Sequence, residues 1–126
     1  MKSIQPKGIL TTQILAMPAD TNSNGDIFGG WLVSHMDMGG GIEASRLAQC
    51  RIVTVAIDQM VFIKPVKIGD VVSCYANLLS VGTTSMRFKL EVWTLSMRDK
   101  KLKHVATGIF TYVAIDEKGK PQPVYR

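Results

Sequence analysis

The sequence has few of the residues that carry metal, redox or acid–base chemistry: two cysteines and two histidines among 126 residues. Cys50 and Cys74 match the spacing of neither a zinc site nor a CxxC redox pair. They read as small buried side chains, and unpaired thiols fit a reducing compartment. His35 and His104 lie far apart, without an acidic or serine partner, so each reads as a solvent-facing or hydrogen-bonded structural residue. No metal-ligand cluster stands out. Long apolar runs are missing too. No segment is long enough to span a bilayer, and the N-terminus lacks the basic, apolar and small-residue order of a secretory signal. These absences lead to the expectation of a cytoplasmic protein with no membrane partner. Internal repeats, low-complexity tracts and Pro/Ser-rich linkers are also absent, so one domain over residues 1–126 is expected.

What is present is an ordinary globular composition, 46% hydrophobic and 20% charged. A domain of this size buries roughly two-thirds of its unfolded surface, which leaves little room for both a core and a deep pocket. A sizeable ligand site therefore calls for a second subunit. The net charge of +5 favours an anionic partner. Nucleic acid is disfavoured, because neither basic clusters nor basic–aromatic stacking patterns occur.

Along the chain, residues 8–17 are rich in β-formers and end at Pro18. The turn-rich stretch PADTNSNGD follows. From Ile27 to Ala48 there is no proline, and Trp31, Leu32, Met36, Met38, Ile42 and Leu47 recur at helical spacing. Apolar residues or glycines spread around most of this helix, which predicts that protein wraps it on several sides. Gly39, Gly40 and Gly41 each cost up to ~1 kcal/mol in a helix relative to alanine. Close packing against a neighbouring element explains them best. Four segments then carry β texture, at 52–66, 70–82, 85–97 and 102–121, divided by turns. A helix after the first strand, then consecutive hairpins, reads as α+β with a mostly antiparallel sheet. One sheet face buries the helix. The other must be polar or covered by a second copy.

In order and in residues, AMPADTNSNGDIFGGWLVSHMDMGG, FIKPVKIGDVV and EVW resemble the YciA type of hotdog-fold acyl-CoA thioesterase, over about Ile9 to Asp116. The resemblance implies a long central helix wrapped by a curved, mostly antiparallel sheet. It also implies a homo-oligomer with the dimer as minimal active unit, commonly a trimer of dimers. The implied substrate is an acyl thioester of coenzyme A, hydrolysed without metal or organic cofactor.

Thioester hydrolysis needs an activated water or a nucleophile, charge stabilisation on the carbonyl oxygen, and a grip on CoA. Asp26 is the candidate for the first, as general base or by direct attack. Partial desolvation would sharpen it as a base. From the residues alone, its type and position fit a helix N-cap equally well; the resemblance favours catalysis. Gly29 and Gly30 stand where the first helical N–H groups lack acceptors, and so could hold the carbonyl oxygen. Easing a tight turn is their alternative role. Asn22 and Asn24 either orient Asp26 or its water, or make local turn bonds. Asp20 reads as a turn residue. Ser34 and Asp37 lie on the helix, within reach of a site shared across a dimer. For CoA, Lys64 and the turn Gly82, Thr83, Thr84, Ser85 and Arg87 offer cations, hydroxyls and backbone N–H groups for phosphates, from a neighbouring subunit. The turn must also close a hairpin. The acyl tail is expected between helix and sheet, among methionines that accept varied shapes.

Two other functions compete. A hotdog enoyl-thioester hydratase or dehydratase typically needs a histidine near the loop and helix, and here the loop holds none. A non-enzymatic acyl-CoA-binding sensor usually carries a DNA-binding segment, and none is visible.

Overall fold

The computed structural model describes residues 5–126. Strand β1 (Ile9–Leu15) leads through one 3-10 turn (Pro18–Asp20) and a loop into helix α1 (Gly29–Ala48). Four strands follow: β2 (Arg51–Phe62), β3 (Val71–Val81), β4 (Ser85–Leu95) and β5 (Leu102–Ile115). The elements match those expected, with shorter ends. β2 stops at Phe62, shortly before Pro65, which has no N–H for a ladder. β5 stops at Ile115, where the Asp116 carboxylate accepts the N–H groups of Lys118 and Lys120, each at 2.9 Å, and Gly119 takes a φ of +82°.

The five strands form one antiparallel sheet in the order β1-β3-β4-β5-β2. This corrects one expectation. Only β3, β4 and β5 are consecutive hairpins; β2 pairs with β5, and residues 63–70 carry the chain across to β3. The helix lies under the sheet and touches all five strands. The alternation in β4 sends Met86, Phe88, Leu90 and Val92 into the core, where they meet Leu32, Met36 and Ala44 of the helix.

Gly39 and Gly40 have the close-packing role expected of the cluster, whereas at Gly41 a Cβ would make only an ordinary contact, 3.6 Å from Ile52 Cδ1. A Cβ at Gly39 would lie 2.5 Å from Thr11 Oγ1, and one at Gly40 would lie 2.8 Å from Leu90 Cδ1. Alanine is excluded at both unless the sheet gives way. The Tyr112 hydroxyl, alongside Gly40, donates to the carbonyl of Asp37 at 3.0 Å and ties β5 to the helix. Burial, chiefly, pushes that phenol well above its ordinary range.

The helix is wrapped less completely than its composition predicts. Met38 and Ile42 are exposed, as are Val53, Val55 and Ile57 of β2. β2 is also a sheet edge. An apolar helix face thus stands beside an apolar edge strand. On the outer sheet face the Trp93 indole donates to the buried Glu91 at 2.9 Å and stacks on His104, ring centroids 4.8 Å apart. His104 also bonds the Ala106 carbonyl at 3.1 Å and lies 3.8 Å from the Glu91 carboxylate, so it has the acidic neighbour the sequence did not reveal. Cys74 is buried, which pushes its thiol up to about 11; Cys50 is half-buried and free. Among the described residues no helix is long and apolar enough to cross a membrane, and no group of side chains is set to hold a metal ion.

Candidate active site

The loop before α1 is organised by Asn22. Its side-chain oxygen accepts the N–H groups of Asn24 at 2.9 Å and Asp26 at 3.2 Å, while its own N–H donates to the Asp26 carbonyl at 2.6 Å. Gly25, with a φ of +82°, supplies the left-handed residue that closes this turn. Thr21 then bridges Ile27, and Asp26 bridges Lys67 as a single antiparallel rung. The Ile27 N–H reaches the carbonyl of buried Val66 at 2.9 Å. The backbone of Asp26 is therefore held from both sides.

Asp26 is not the helix N-cap. Phe28 holds that position, with no side-chain cap bond. The Asp26 carboxylate instead meets the Lys67 ammonium, and its side chain keeps 29% of its exposure. Lys67 is placed by the turn that follows Pro65: its N–H donates to the Asp70 carboxylate at 3.0 Å, and the Asp70 N–H returns to the Lys67 carbonyl at 3.1 Å.

An open cleft of about 370 Å³ has Asp26, Asn22, Gly29, Phe62, Lys64 and Val66 in its walls. Two of the sequence-predicted groups, Gly29 and Lys64, thus share a cavity with the carboxylate. The helix start points the same way. The Trp31 N–H is taken by the Phe28 carbonyl at 3.1 Å, whereas the N–H groups of Gly29 and Gly30 have no acceptor among the described residues. No acidic side chain occupies the first turn. No side-chain acid therefore meets the positive end of the helix dipole, a geometry able to receive an anionic oxygen. The ring of Phe62 covers Gly29, 3.1 Å from where a Cβ would stand.

Other candidates fall elsewhere. Asn24 is exposed and enters the loop through its backbone N–H, so Asn22 is the asparagine in the cleft wall. Gly30 is exposed, just past that wall. Asp37 accepts the Thr54 hydroxyl at 2.6 Å, and Asp20 the Met17 N–H at 3.1 Å. His35 packs on Trp31 with ring centroids 4.1 Å apart, and burial lowers its pKa against the opposing pull of Asp20.

The turn Gly82–Arg87 lies at the opposite end of the sheet. β3 and β4 pair from Val71 with Leu95 to Val81 with Met86, which at strand spacing separates the turn from the Asp26 end by roughly 30 Å. Within one chain it does not join the cleft. Its local work is clear: the Gly82 N–H bonds the Ser85 carbonyl at 2.8 Å, and the carbonyls of Thr84 and Thr83 hold Ala114 and Val124, each at 2.9 Å. Sequence reasoning missed Lys67 and Phe62. Nothing local marks either one, since each meets its partner through the crossing segment between β2 and β3.

A helix-wrapping antiparallel sheet, with a carboxylate and the first residue of the helix in one cleft, defines a recognisable class. Residues 24–101 match the model of the thioesterase superfamily, and the chain belongs to that superfamily, whose architecture is the hotdog fold. Within it, the chain groups with the acyl-CoA thioester hydrolases of the YciA type. It is 50% identical to the acyl-CoA thioester hydrolase YciA of Salmonella typhimurium over 122 residues, 94% of this chain and 92% of that protein. The hexameric thioesterase of Yersinia pestis superposes with a TM-score of 0.92 at 50% identity, covering 94% of this chain and 98% of that one. A hexameric broad-specificity acyl-coenzyme A thioesterase gives 0.91 at 48%, covering 98% and 85%.

Proposed function

We propose that this chain hydrolyses acyl-CoA thioesters to free CoA and a carboxylic acid, with Asp26 as general base or nucleophile. The observation that carries this reading is the opening of the Asp26 carboxylate and the unpaired N–H of Gly29 into one cleft. The thioester carbonyl oxygen points at Gly29 and Gly30, whose N–H groups take up the charge that develops as the tetrahedral intermediate forms. Asp26 either removes a proton from the attacking water or attacks the carbonyl carbon to give an anhydride. Asn22 positions Asp26 through its backbone. Lys67 pairs with the carboxylate and is itself 52% exposed. No metal or organic cofactor takes part in this scheme.

The working unit in this proposal is a homo-oligomer, a dimer at least and a trimer of dimers in full. The edge strand β2 and the apolar helix face beside it supply the surface. Because Phe62 and Lys64 continue directly from β2 into the cleft wall, a second copy there would also complete the site. Lys64 contacts CoA from this cleft. The 82–87 turn, remote from its own Asp26, serves a neighbouring subunit. Residues 1–126 act as one domain, in the cytoplasm.

The test is release of free thiol from a panel of short, medium, long and aromatic acyl-CoAs by the wild type and by Asp26→Ala. Loss of turnover in a variant with unchanged circular dichroism and oligomer size is the expected result. Undiminished turnover overturns the assignment of Asp26. In a single turnover in ¹⁸O-water with enzyme in excess, label in Asp26 would reveal an anhydride opened by water at the aspartyl carbon, whereas base catalysis places label only in the acid.

A further inference from the structure

A second cleft, of about 350 Å³, adjoins the first and shares Lys64 and Pro65 with it. Its other walls are the turn after Pro65, with Lys67 and Asp70, the β4–β5 turn, with Ser96, Arg98 and Asp99, and Lys103 at the start of β5. Four cationic side chains therefore face two carboxylates. Both carboxylates are engaged locally: Asp70 accepts the Lys67 N–H, and Asp99 accepts the Lys101 N–H at 3.0 Å. Among the described residues, Lys64, Arg98 and Lys103 make no ion pair. The turn that presents Arg98 is well defined. The Lys100 N–H reaches the Ser96 carbonyl at 2.8 Å, Lys100 takes a φ of +58°, and the Arg98 N–H donates to Ser96 Oγ at 3.3 Å. Arg98 on a fixed turn, with Lys64 and Lys103 flanking the same cavity and Lys103 within electrostatic reach of Asp99, suits a ligand with several negative charges.

The position suits one part of the substrate. In an acyl-CoA the thioester and the phosphates are separated by the pantetheine arm, so the anionic end must bind away from the carboxylate. Val71 of β3 pairs with Leu95 of β4, which pairs with Leu102 of β5. The β4–β5 turn is thus displaced by about two strand spacings, roughly 10 Å, from the start of β3. Lys67 links the two clefts: its ammonium meets Asp26 of the first, and the residue lines the second.

We infer that this basic cleft binds the pyrophosphate or ribose phosphate of the CoA moiety, with Arg98 and Lys103 as grips alongside Lys64. This rests on the acyl-CoA hydrolase reading and adds two residues to it. Arg98 supplies a planar fork for phosphate oxygens, and Lys103 a mobile point charge.

Calorimetric titration of the full oligomer with free CoA and with pantetheine tests it, for the wild type and for Arg98→Gln/Lys103→Gln. The expected result is a preference for CoA over pantetheine reduced about tenfold in the double variant, with a shallower dependence on ionic strength. Arg98→Lys/Lys103→Arg, which keeps both charges, should recover most of the preference. In steady state with an acyl-CoA from the panel, KM should rise by more than kcat falls. A double variant that binds CoA as the wild type does, with the same salt dependence, overturns the subsite while leaving the hydrolase reading in place. A wild type that binds no CoA and releases no thiol from any acyl-CoA overturns both.

Discussion

The two ends of helix α1 are treated in opposite ways. At the C-terminal end every device is in use. Gln49 takes the left-handed conformation at a φ of +57°, its N–H bonds the Ser45 carbonyl at 2.8 Å, and its side-chain amide reaches the Arg46 carbonyl at 3.3 Å. Arg126, from the end of the chain, donates to the Ala48 carbonyl at 2.7 Å. At the N-terminal end Phe28 provides no cap, no acid complements the dipole, and two glycines leave their N–H groups unpaired. A helix selected for stability alone would carry serine, threonine, aspartate or asparagine at that position. Under the proposed function the difference has a reason: orphan donors are tolerated where a developing negative charge would meet them.

The strongest way to break the comparison is Asp26→Asn, which keeps the shape and the backbone rung to Lys67 while removing the base. Thiol release should fall by ~10²–10⁴. Stability should change little, because the lost ion pair is partly exposed and of a kind worth ~0–1 kcal/mol. Activity and melting temperature measured together decide it: a variant that unfolds early would mean that Asp26 serves the fold. Gly40→Ala makes the reverse case from the middle of the helix. A methyl forced against Leu90 and Tyr112 should cost ~1–3 kcal/mol in chemical denaturation. Turnover per folded molecule should suffer far less than in the Asp26 variant.

Much of this was legible in the sequence, and the failures share a cause. The helix, the inward alternation of β4 and the packing role of Gly39 and Gly40 follow from local period and residue size. That Asp26, Gly29 and Lys64 belong together was suggested by short, distinctive segments, and they do line one cleft. The position of β2 against β5 was not legible, since long-range pairing leaves no mark on a neighbouring turn. For the same reason Lys67 and Phe62 escaped notice. The choice between Asn22 and Asn24 depends on which side of Gly25 the chain folds back, a matter of backbone angles and not of residue type. The exposed face of the helix looked like core because periodicity reports apolar character and not what covers it.

A smaller and more pointed test adds the missing cap. In Phe28→Ser, a hydroxyl at the N-cap would accept from the N–H of Gly30 or Trp31 and stabilise the helix by about 1 kcal/mol. The same hydroxyl competes with the thioester oxygen for Gly30, so kcat should drop, by about tenfold for partial loss of one donor. A more stable protein with undiminished kcat would show that these N–H groups do not meet the substrate, and the contrast between the two ends would lose its functional meaning.

Arg126→Ala makes the complementary change at the other end and should have the smallest effect. It removes the guanidinium that bonds the Ala48 carbonyl at 2.7 Å and the Pro123 carbonyl at 2.8 Å. Arg126 is itself exposed, so the bond it makes is open to water on its own side. A cost of about 0.5–1 kcal/mol is expected, from a charge-assisted bond and its interaction with the helix dipole. Because the dipole acts within about a turn of each end, the loss should not reach Gly29, some 30 Å away along a helix of 20 residues. kcat and KM should therefore match the wild type while the denaturation midpoint falls slightly. A fall in kcat beyond the fraction unfolded would mean that the two ends are coupled through the helix or through a neighbouring subunit, and that the capped end also serves the site.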